Sequence, residues 1–397
     1  MKKIILHCDL DAFFCRAEEI KNPHLEGKSF IVGGDGRGGI VSTCSYKARK
    51  YGIHSGMPTF QAKMLCKDLI IVPTDFHYYS LLSKEFIFFL KQYSSKIQQM
   101  SIDECFVDLT DYFIKSKRQI NDILNEIQTN LYNKLSLKCS IGVGTTKFIA
   151  KMASDFKKPL GITIIRNKDI SKMIFPLPVK DFFGIGKKTA PRLNEIGINT
   201  IGDLYYKAKN NDSDLEKVIG KFIYDICDLL EANSDDVVLQ EEHNPKSIGM
   251  SKTLMSDTNN SEKIIEVLKS EIISVHNSLI KEEKLAKTIT IQFKDAACES
   301  HFKSKTYSKT FDEYTQNLDF ITKEAIKLFN VSYNKEYIRL IGFSLKNLID
   351  KSQVNTQMTF LNFEEHEKEN KSYLIMNELN REMNKQIFKK LSDIIKK

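Results

Sequence analysis

Short apolar runs and segments of helical period alternate along the first 165 residues. Runs of strand length occupy residues 3–8, 29–33, 39–43, 104–109, 138–143 and 161–165. Segments with apolar residues at helical spacing occupy residues 13–20, 45–51, 74–93, 116–135 and 147–155. The mixed order predicts an α+β region that is built on one main sheet.

The rest of the chain changes pattern three times. Residues 166–235 have a helical pattern around two glycine turns, and the polar, proline-containing segment 236–246 predicts a linker. Residues 247–350 alternate between strand and helix patterns, which predicts a second α+β domain. Residues 351–397 form a charged tail that is compatible with one terminal helix.

Composition favours a folded chain with an anionic partner. With 397 residues, 42% of them hydrophobic, the chain is long enough for several domains with their own cores. The net charge is +8, and most of the cations are lysines. Lysine contacts phosphate as a point charge, so we expect tracking of a polyanionic backbone more than reading of base edges.

The eight cysteines are irregularly spaced and include no CxxC pair. We therefore expect reduced thiols rather than a zinc site or a disulfide framework. No apolar run reaches the ~18 residues of a membrane span, and the apolar N-terminus is too short for a signal peptide. The sequence thus predicts a cytoplasmic protein with no membrane partner.

Acidic residues lie at the ends of two predicted strands. Asp9 follows the first apolar run, and Asp103 and Glu104 stand at the start of the run at 104–109. Neighbouring strand residues point to opposite faces, so Asp103 and Glu104 require a turn or a bulge to face one site. Taken singly, these acids could be helix caps or loop charges. If they converge, they form an oxygen-rich site suited to two Mg²⁺ ions and to phosphoryl transfer.

Four segments together carry a family resemblance. DLDAFF, GIVSTCSYKARKYGIHSGMP, SIDECFVDLT and GVGTTKFIAKMASDFKKPLGI resemble, in order and spacing, the palm and fingers of Y-family DNA polymerases, nearest to the DNA polymerase IV type. The resemblance implies a right-hand fold with a ferredoxin-like palm, small fingers, a helix-hairpin-helix thumb and an α+β little finger. It places the palm at 1–12 and 75–165, the fingers at 13–74, the thumb at 166–235 and the little finger at 247–350.

The resemblance implies low-fidelity, template-directed DNA synthesis across damaged bases. A monomer would add deoxynucleoside triphosphates to the 3′-hydroxyl of a primer–template DNA. Two Mg²⁺ ions would be held by Asp9, Asp103 and Glu104, with the Leu10 carbonyl as a further ligand.

Six side chains match positions of the family that contact the incoming nucleotide or the new base pair. Phe14 matches the aromatic gate that rejects a ribose 2′-hydroxyl by a clash, although ordinary core packing is the alternative. Tyr46 and Arg49 match residues that grip the triphosphate, and they share a face of a predicted helix that would otherwise be solvated. Lys158 matches a palm lysine that reaches the same phosphates. Ile40 and Ser42 match small residues that roof the new base pair, which predicts tolerance of bulky template bases.

The implied DNA and partner contacts lie further along the chain. Gly184, Gly186 and Lys187 match a phosphate-binding turn, for which a simple tight turn is the alternative. The lysines that match the little-finger contacts to the DNA backbone are Lys303, Lys305 and Lys309, and a solvated strand face is the alternative. Residues 357–363, with Gln357, Met358 and Phe360, resemble a peptide that binds the sliding clamp.

Two rival functions remain open from the sequence. A catalytically inactive relative would bind DNA and extend nothing. A nucleotidyl cyclase, suggested by Gly33-Gly34-Asp35-Gly36, would form product from nucleotide alone. The polymerase requires a primer and a template.

Overall fold

The computed structural model describes residues 3–234, 236–239, 244–296 and 304–353. The chain divides into two compact units, Met1–His243 and Asn244–Lys397. Each unit buries its own cluster of apolar side chains.

The strands and helices of the first unit follow one another in mixed order. Its strands are β1 (Ile5–Leu10), β2 (Phe30–Gly33), β3 (Val41–Cys44), β4 (Ile70–Val72), β5 (Ile97–Gln99), β6 (Glu104–Asp108), β7 (Cys139–Gly144) and β8 (Ile162–Ile164). Its helices are α1 (Phe13–Lys21), α2 (Tyr46–Arg49), α3 (Thr59–Leu65), α4 (Phe76–Leu90), α5 (Thr110–Ser116), α6 (Ile120–Leu135), α7 (Lys147–Ser154), α8 (Ile170–Met173), α9 (Thr189–Glu195), α10 (Ile201–Lys209), α11 (Ser213–Ile219) and α12 (Ile223–Glu231).

The main sheet has the strand order β5-β6-β1-β7-β8. Strand β1 is antiparallel to both of its neighbours, and Asp9 is the register partner of Glu104 on one side and of Ser140 on the other. Cys8 is the partner of Cys105, and both side chains are fully buried. Because successive strand residues point to opposite faces, the sheet turns thiols to its core and acids to the other side.

Helix α7 lies directly against β7. A Cβ atom added to Gly142 would come within 2.1 Å of the carbonyl oxygen of Ala150, so only glycine permits this approach. Thr146 caps the helix by accepting a hydrogen bond from the amide of Ile149. The close packing brings the side chains of α7 up to the face of β1 that carries Asp9.

A smaller sheet has the order β3-β2-β4, with β2 antiparallel to β3 and parallel to β4. Apolar residues of β2, β3 and the neighbouring helices α2 and α3 form its core. Helix α2 begins after Ser45, whose hydroxyl accepts from the amide of Ala48. This cap fixes the start of the short helix that carries Tyr46 and Arg49.

The last part of the first unit is helical. Side chains from α9 to α12 join those of α7 and α8 in a second apolar cluster. Gly184 precedes α9 with a φ of 107°, a conformation that favours glycine. The predicted glycine turn is therefore present at this position.

The second unit is a four-stranded sheet of order β11-β10-β12-β9 with two helices. The elements are β9 (Ser247–Thr258), α13 (Ser261–Lys281), β10 (Lys284–Asp295), β11 (Ser304–Thr315), α14 (Leu318–Ser332) and β12 (Ile338–Asp350). Every strand pair is antiparallel. The predicted alternation of strands and helices over 247–350 is confirmed.

Some local predictions were incomplete. The pattern at 116–135 predicted one helix, but α5 ends at Ser116 and α6 starts at Ile120, with Lys117 between them in the left-handed region at φ 53°. Helix α3 and strands β4 and β5 were not predicted. They span seven, three and three residues, which is too short for a periodic signal.

Candidate active site

The acids of β1 and β6 meet where β1 ends and β6 begins, at one end of these two paired strands. Glu104 is the first residue of β6 and lies across from Asp9. Asp103 stands just before the strand, and its carbonyl accepts a hydrogen bond of 2.9 Å from the Leu10 amide. Residues 101–103 form a bend before β6, which is the expected departure from a regular strand. It allows Asp103 and Asp9 to line the same cleft.

Two lysine ammonium groups lie on these carboxylates. Lys151 Nζ is 2.5 Å from Oε2 of Glu104 and 3.3 Å from Oδ2 of Asp9. Lys158 Nζ is 2.8 Å from the same Asp9 oxygen and 2.8 Å from Oδ1 of Asp155. Lys158 was predicted for the site, and Lys151 was not. Burial works to lower the pKa of Lys151, but the carboxylates of Glu104 and Asp9 raise it overall, so the side chain stays charged.

A buried histidine, His7, lies next to Glu104. His7 has no exposed surface, and its Nδ1 is 2.9 Å from the Ser154 hydroxyl of α7. Its Nε2 is 3.4 Å from Oε2 of Glu104, a longer contact than an ordinary hydrogen bond. His7 and Lys151 together lower the pKa of Glu104 to about 2, against the opposing effect of burial. Glu104 is therefore a carboxylate at neutral pH.

Asp103 has a different environment from its neighbour. Burial raises its pKa, and the negative charges of Asp9 and Glu104 add to this effect. The Ser101 hydroxyl donates to Oδ1 of Asp103 at 2.6 Å and works the other way. A carboxylate held near two others is a position that a cation would stabilise.

The donor atoms available here suit a divalent ion. His7, Asp9 and Glu104 offer ligand atoms that lie within 4.8 Å of one another. Asp103 lies outside this trio but lines the adjoining cleft together with Asp9. Carboxylate oxygens are the ligands that Mg²⁺ and Mn²⁺ prefer, so the residues present fit such an ion.

The cleft beside the acids has a volume of about 290 Å³. Of the side chains predicted to bind nucleotide, Phe14, Ser42, Tyr46, Arg49 and Lys158 line it, together with residues 9–13, Thr43, Ser55 and Asp103. The sequence stretches 9–14, 42–49 and 158 are far apart in the chain and converge here. Ile40 is not part of this lining and is 52% exposed.

Aromatic packing holds Phe14 in the wall of the cleft. Its ring stacks on Tyr79 with a centroid distance of 4.4 Å and meets Phe76 edge-on at 5.7 Å. The Tyr79 hydroxyl in turn donates to Oε1 of Glu18 at 2.6 Å. The gate candidate is therefore partly buried on one side and faces the cleft on the other.

Asp11 joins the two sides of the cleft, a role that the sequence did not assign. Its Oδ1 accepts hydrogen bonds from the hydroxyls of Tyr46 at 3.1 Å and Ser140 at 2.8 Å. Its Oδ2 accepts from the amide of Leu160 at 2.8 Å. Burial and the nearby Asp11 charge raise the pKa of Tyr46, which keeps its hydroxyl protonated as a donor. The Arg49 guanidinium lies over the Tyr46 ring, 4.6 Å from its centroid.

The remaining predicted residues lie elsewhere. Gly184, Gly186 and Lys187 form the turn before α9. Lys305 and Lys309 lie on β11, where Lys305 pairs with Glu336 and Lys309 pairs with Glu324, so neither is an uncompensated cation. Lys303, Gln357, Met358 and Phe360 lie outside the described residues.

Cysteines and helices add two further findings. The cysteines of the described residues are free thiols. Within the described ranges, no helix has both the length and the apolar character that a membrane span requires.

Comparison with known proteins follows the same division of the chain. The profile of the impB/mucB/samB family matches residues 8–155, that of its C-terminal domain residues 245–359, and that of its HHH motif residues 164–198. The chain is 35% identical over 403 residues to a DNA polymerase IV of Bacillus velezensis, covering all of this chain and 94% of the relative. It is 34% identical to DNA polymerase IV 1 of Bacillus subtilis, covering 98% of this chain and 92% of that relative.

Solved structures agree with the sequence relatives. A Y-family DNA polymerase chimera of Dbh and Dpo4 superposes with a TM-score of 0.76 at 27% identity, covering 87% of this chain and 99% of the chimera. An insertion ternary complex of Dbh DNA polymerase gives a TM-score of 0.57 at 28% identity with the same coverage. The chain belongs to the impB/mucB/samB family, within the Y-family DNA polymerases. The predicted family, right-hand polymerase fold and enzyme class, a DNA-directed DNA polymerase of the translesion type, are confirmed.

Proposed function

We propose that this polymerase joins deoxynucleoside triphosphates to a primer 3′-hydroxyl with Asp9, Asp103 and Glu104 holding two Mg²⁺ ions. The pairing of Asp9 with Glu104 across β1 and β6, beside Asp103 and the adjoining cleft, carries this proposal. The two bound ions would neutralise phosphate charge and make the primer hydroxyl easier to deprotonate. The Leu10 carbonyl is the further ligand that we assign.

The positioning of the nucleotide falls to side chains of the chain itself. Tyr46, Arg49 and Lys158 line one cleft and can bind the phosphates of an incoming nucleotide. In the nucleotide-free protein Lys158 rests on Asp9, so it would exchange a carboxylate for a phosphate as its partner. The primer 3′-hydroxyl then gives up its proton to solvent water, and its oxygen forms a bond to the α-phosphorus. The bond from that phosphorus to the bridging oxygen breaks, and pyrophosphate leaves with the electron pair.

The cleft wall accounts for the choice of sugar and template. Phe14, fixed by Tyr79, would clash with a 2′-hydroxyl and so exclude ribonucleotides. Ile40 and Ser42 would roof the new base pair with little bulk, which suits synthesis across damaged bases. We assign the palm to residues 1–12 and 75–165 and the fingers to residues 13–74. The thumb is assigned to residues 166–235 and the little finger to residues 247–350.

The proposed DNA contacts lie in the turn before α9 and on lysines of the second unit. The backbone amides of the turn at Gly184, Gly186 and Lys187 would bind a phosphate. Lys303, Lys305 and Lys309 would contact the DNA backbone, with Lys305 and Lys309 first giving up their acidic partners. We also propose that the enzyme works as a cytoplasmic monomer and binds a sliding clamp through Gln357, Met358 and Phe360.

Primer extension with the full-length protein tests the metal assignment. Purified Asp9→Asn and Glu104→Gln should lose at least about a thousandfold in extension rate, since each removes a charge that the reacting phosphates require. Both variants should bind primer–template DNA as the wild type does. Asp111→Asn, an exposed acid on α5, is the matched control and should extend normally. Extension by either site variant within tenfold of the wild type would remove the two-metal assignment.

A further inference from the structure

We infer that Lys151 is the internal counter-cation of the carboxylate cluster and lowers the affinity of the nucleotide-free site for divalent ions. This inference rests on the proposed metal site at Asp9, Asp103 and Glu104. Lys151 does not line the nucleotide cleft, and it contacts the acids from helix α7.

The geometry of the ammonium group is the first support. Lys151 Nζ contacts one oxygen of Glu104 at 2.5 Å and one oxygen of Asp9 at 3.3 Å, so it bridges the two strands as a shared cation would. Its side chain is 12% exposed, and water therefore screens its charge only weakly. A divalent ion that approached the same carboxylates would be repelled by this charge.

The anchoring of Lys151 is the second support. Helix α7 is pressed against β7 at Gly142, which fixes the backbone of the lysine relative to the sheet. The Ser154 hydroxyl donates to the Lys151 carbonyl at 2.8 Å and also contacts His7. The ammonium consequently cannot move far from the acids without a change of its own rotamer.

Lys158 offers an instructive contrast. It shares the Asp9 oxygen with Lys151, but it lines the cleft and has a second partner in the exposed Asp155. A triphosphate that enters the cleft can therefore take Lys158 away from Asp9. Lys151 does not line the cleft, and its ammonium remains on Asp9 and Glu104. A nucleotide that binds Lys158 would thus remove one positive charge from the surroundings of Asp9 and favour the entry of a metal ion. Lys151 continues to oppose a metal ion that arrives without a nucleotide.

A purely structural brace would have the opposite effect on metal binding. If Lys151 only held Asp9 and Glu104 together, its removal would let the carboxylates separate by mutual repulsion. Metal affinity would then fall. The sign of the change in affinity therefore separates the two roles.

Mn²⁺ binding to the nucleotide-free, full-length protein, followed by electron paramagnetic resonance, measures that sign. Lys151→Met should bind Mn²⁺ at the Asp9-dependent site at least about tenfold more tightly than the wild type, because one adjacent positive charge is gone. Lys151→Arg keeps the charge and should stay within about twofold of the wild type. Lys147→Met removes a lysine one turn earlier on α7, whose Nζ contacts Gln98 and not the acids, and it should also stay within about twofold.

Folding and the parent proposal are controlled separately. Thermal melting checks each variant, and Lys151→Gln, neutral but polar, replaces Lys151→Met if that protein does not fold. Unchanged or weaker Mn²⁺ binding in the folded neutral variants would overturn the inference, as would equal tightening in Lys147→Met. If Asp9→Asn leaves Mn²⁺ binding unchanged with nucleotide and primer–template present, the metal site itself is wrong. If Asp9→Asn abolishes binding while Lys151→Met equals the wild type, only the counter-cation role fails.

Discussion

The Tyr46 hydroxyl donates a hydrogen bond of 3.1 Å to Oδ1 of Asp11, across the boundary between the small sheet and the main sheet. Asp11 is 4% exposed and also receives the amide of Leu160, two residues beyond Lys158. A single buried carboxylate therefore couples the helix that carries Tyr46 and Arg49 to the loop that carries Lys158. The two halves of the proposed triphosphate-binding site are thus linked by a residue that need not touch the nucleotide.

Asp11→Asn should weaken nucleotide binding more than it slows turnover. The amide keeps the shape of the carboxylate, but its NH₂ group faces donors and leaves at least one of them unpaired. We expect the KM for deoxynucleotides to rise about tenfold, with a smaller change in kcat. Steady-state single-nucleotide insertion measures both. An unaltered KM would show that Tyr46 and the Leu160 loop are positioned without Asp11.

Phe14→Ala should admit ribonucleotides. Truncation removes the ring that, in our proposal, would clash with a 2′-hydroxyl, and the preference for deoxynucleotides should fall at least about a hundredfold, or roughly 2.7 kcal/mol. Competitive insertion of matched ribo- and deoxynucleotides gives the ratio. Phe88→Ala, on the exposed face of α4, is the control and should keep the wild-type preference. A wild-type ratio in Phe14→Ala would place the gate elsewhere.

Tyr79→Phe should lower stability and spare sugar selection. The substitution keeps the ring that stacks on Phe14 but deletes the hydroxyl that donates to Glu18, which is itself buried. Leaving that carboxylate short of a donor should cost about 1–3 kcal/mol of unfolding free energy. Urea unfolding of the metal-free protein measures the loss. Stability equal to the wild type would mean that water or Lys21 replaces the lost donor, against our expectation.

Gly142→Ala should disturb the site from a distance. The new methyl group would meet the Ala150 backbone carbonyl at 2.1 Å, so α7 must move away from β7 and take Lys151 and Ser154 with it. We expect a loss of at least about 2 kcal/mol in stability together with reduced extension. Gly186→Ala is the matched control for stability, because a Cβ at Gly186 meets nothing within 4 Å. A Gly142→Ala protein that melts like the wild type would argue against tight packing of α7.

Residues next to strong sequence patterns were the easiest to predict. Asp9 and Glu104 stand at the ends of apolar strands, where a carboxylate is costly unless it is paired or binds a cation, so the sequence alone indicates chemistry there. Lys151 lacks such a signal, since α7 and the loop after it contain Lys147, Lys151, Lys157 and Lys158 at similar local contexts. Only packing against β1 singles it out. Asp11 was left without a role for a related reason, because its donors come from positions 46, 140 and 160.

Secondary structure followed the same division. Long helices such as α4 and α13 have enough turns for their apolar period to be recognised. Helix α3 and strands β4 and β5 are shorter than the stretch over which such a period can be recognised. The split between α5 and α6 depends on one left-handed residue, Lys117, which carries no glycine or asparagine signal.

Two buried thiols lie on the face of the main sheet opposite to the acids and can report on local opening of the protein. Cys8 and Cys105 lie one residue from Asp9 and Glu104, on the opposite face and sealed from water. A disulfide reagent in solution can reach them only when the apolar core on that face of the sheet opens. The rate at which these two thiols are labelled therefore measures how often the core beneath the strands of Asp9 and Glu104 opens to solvent.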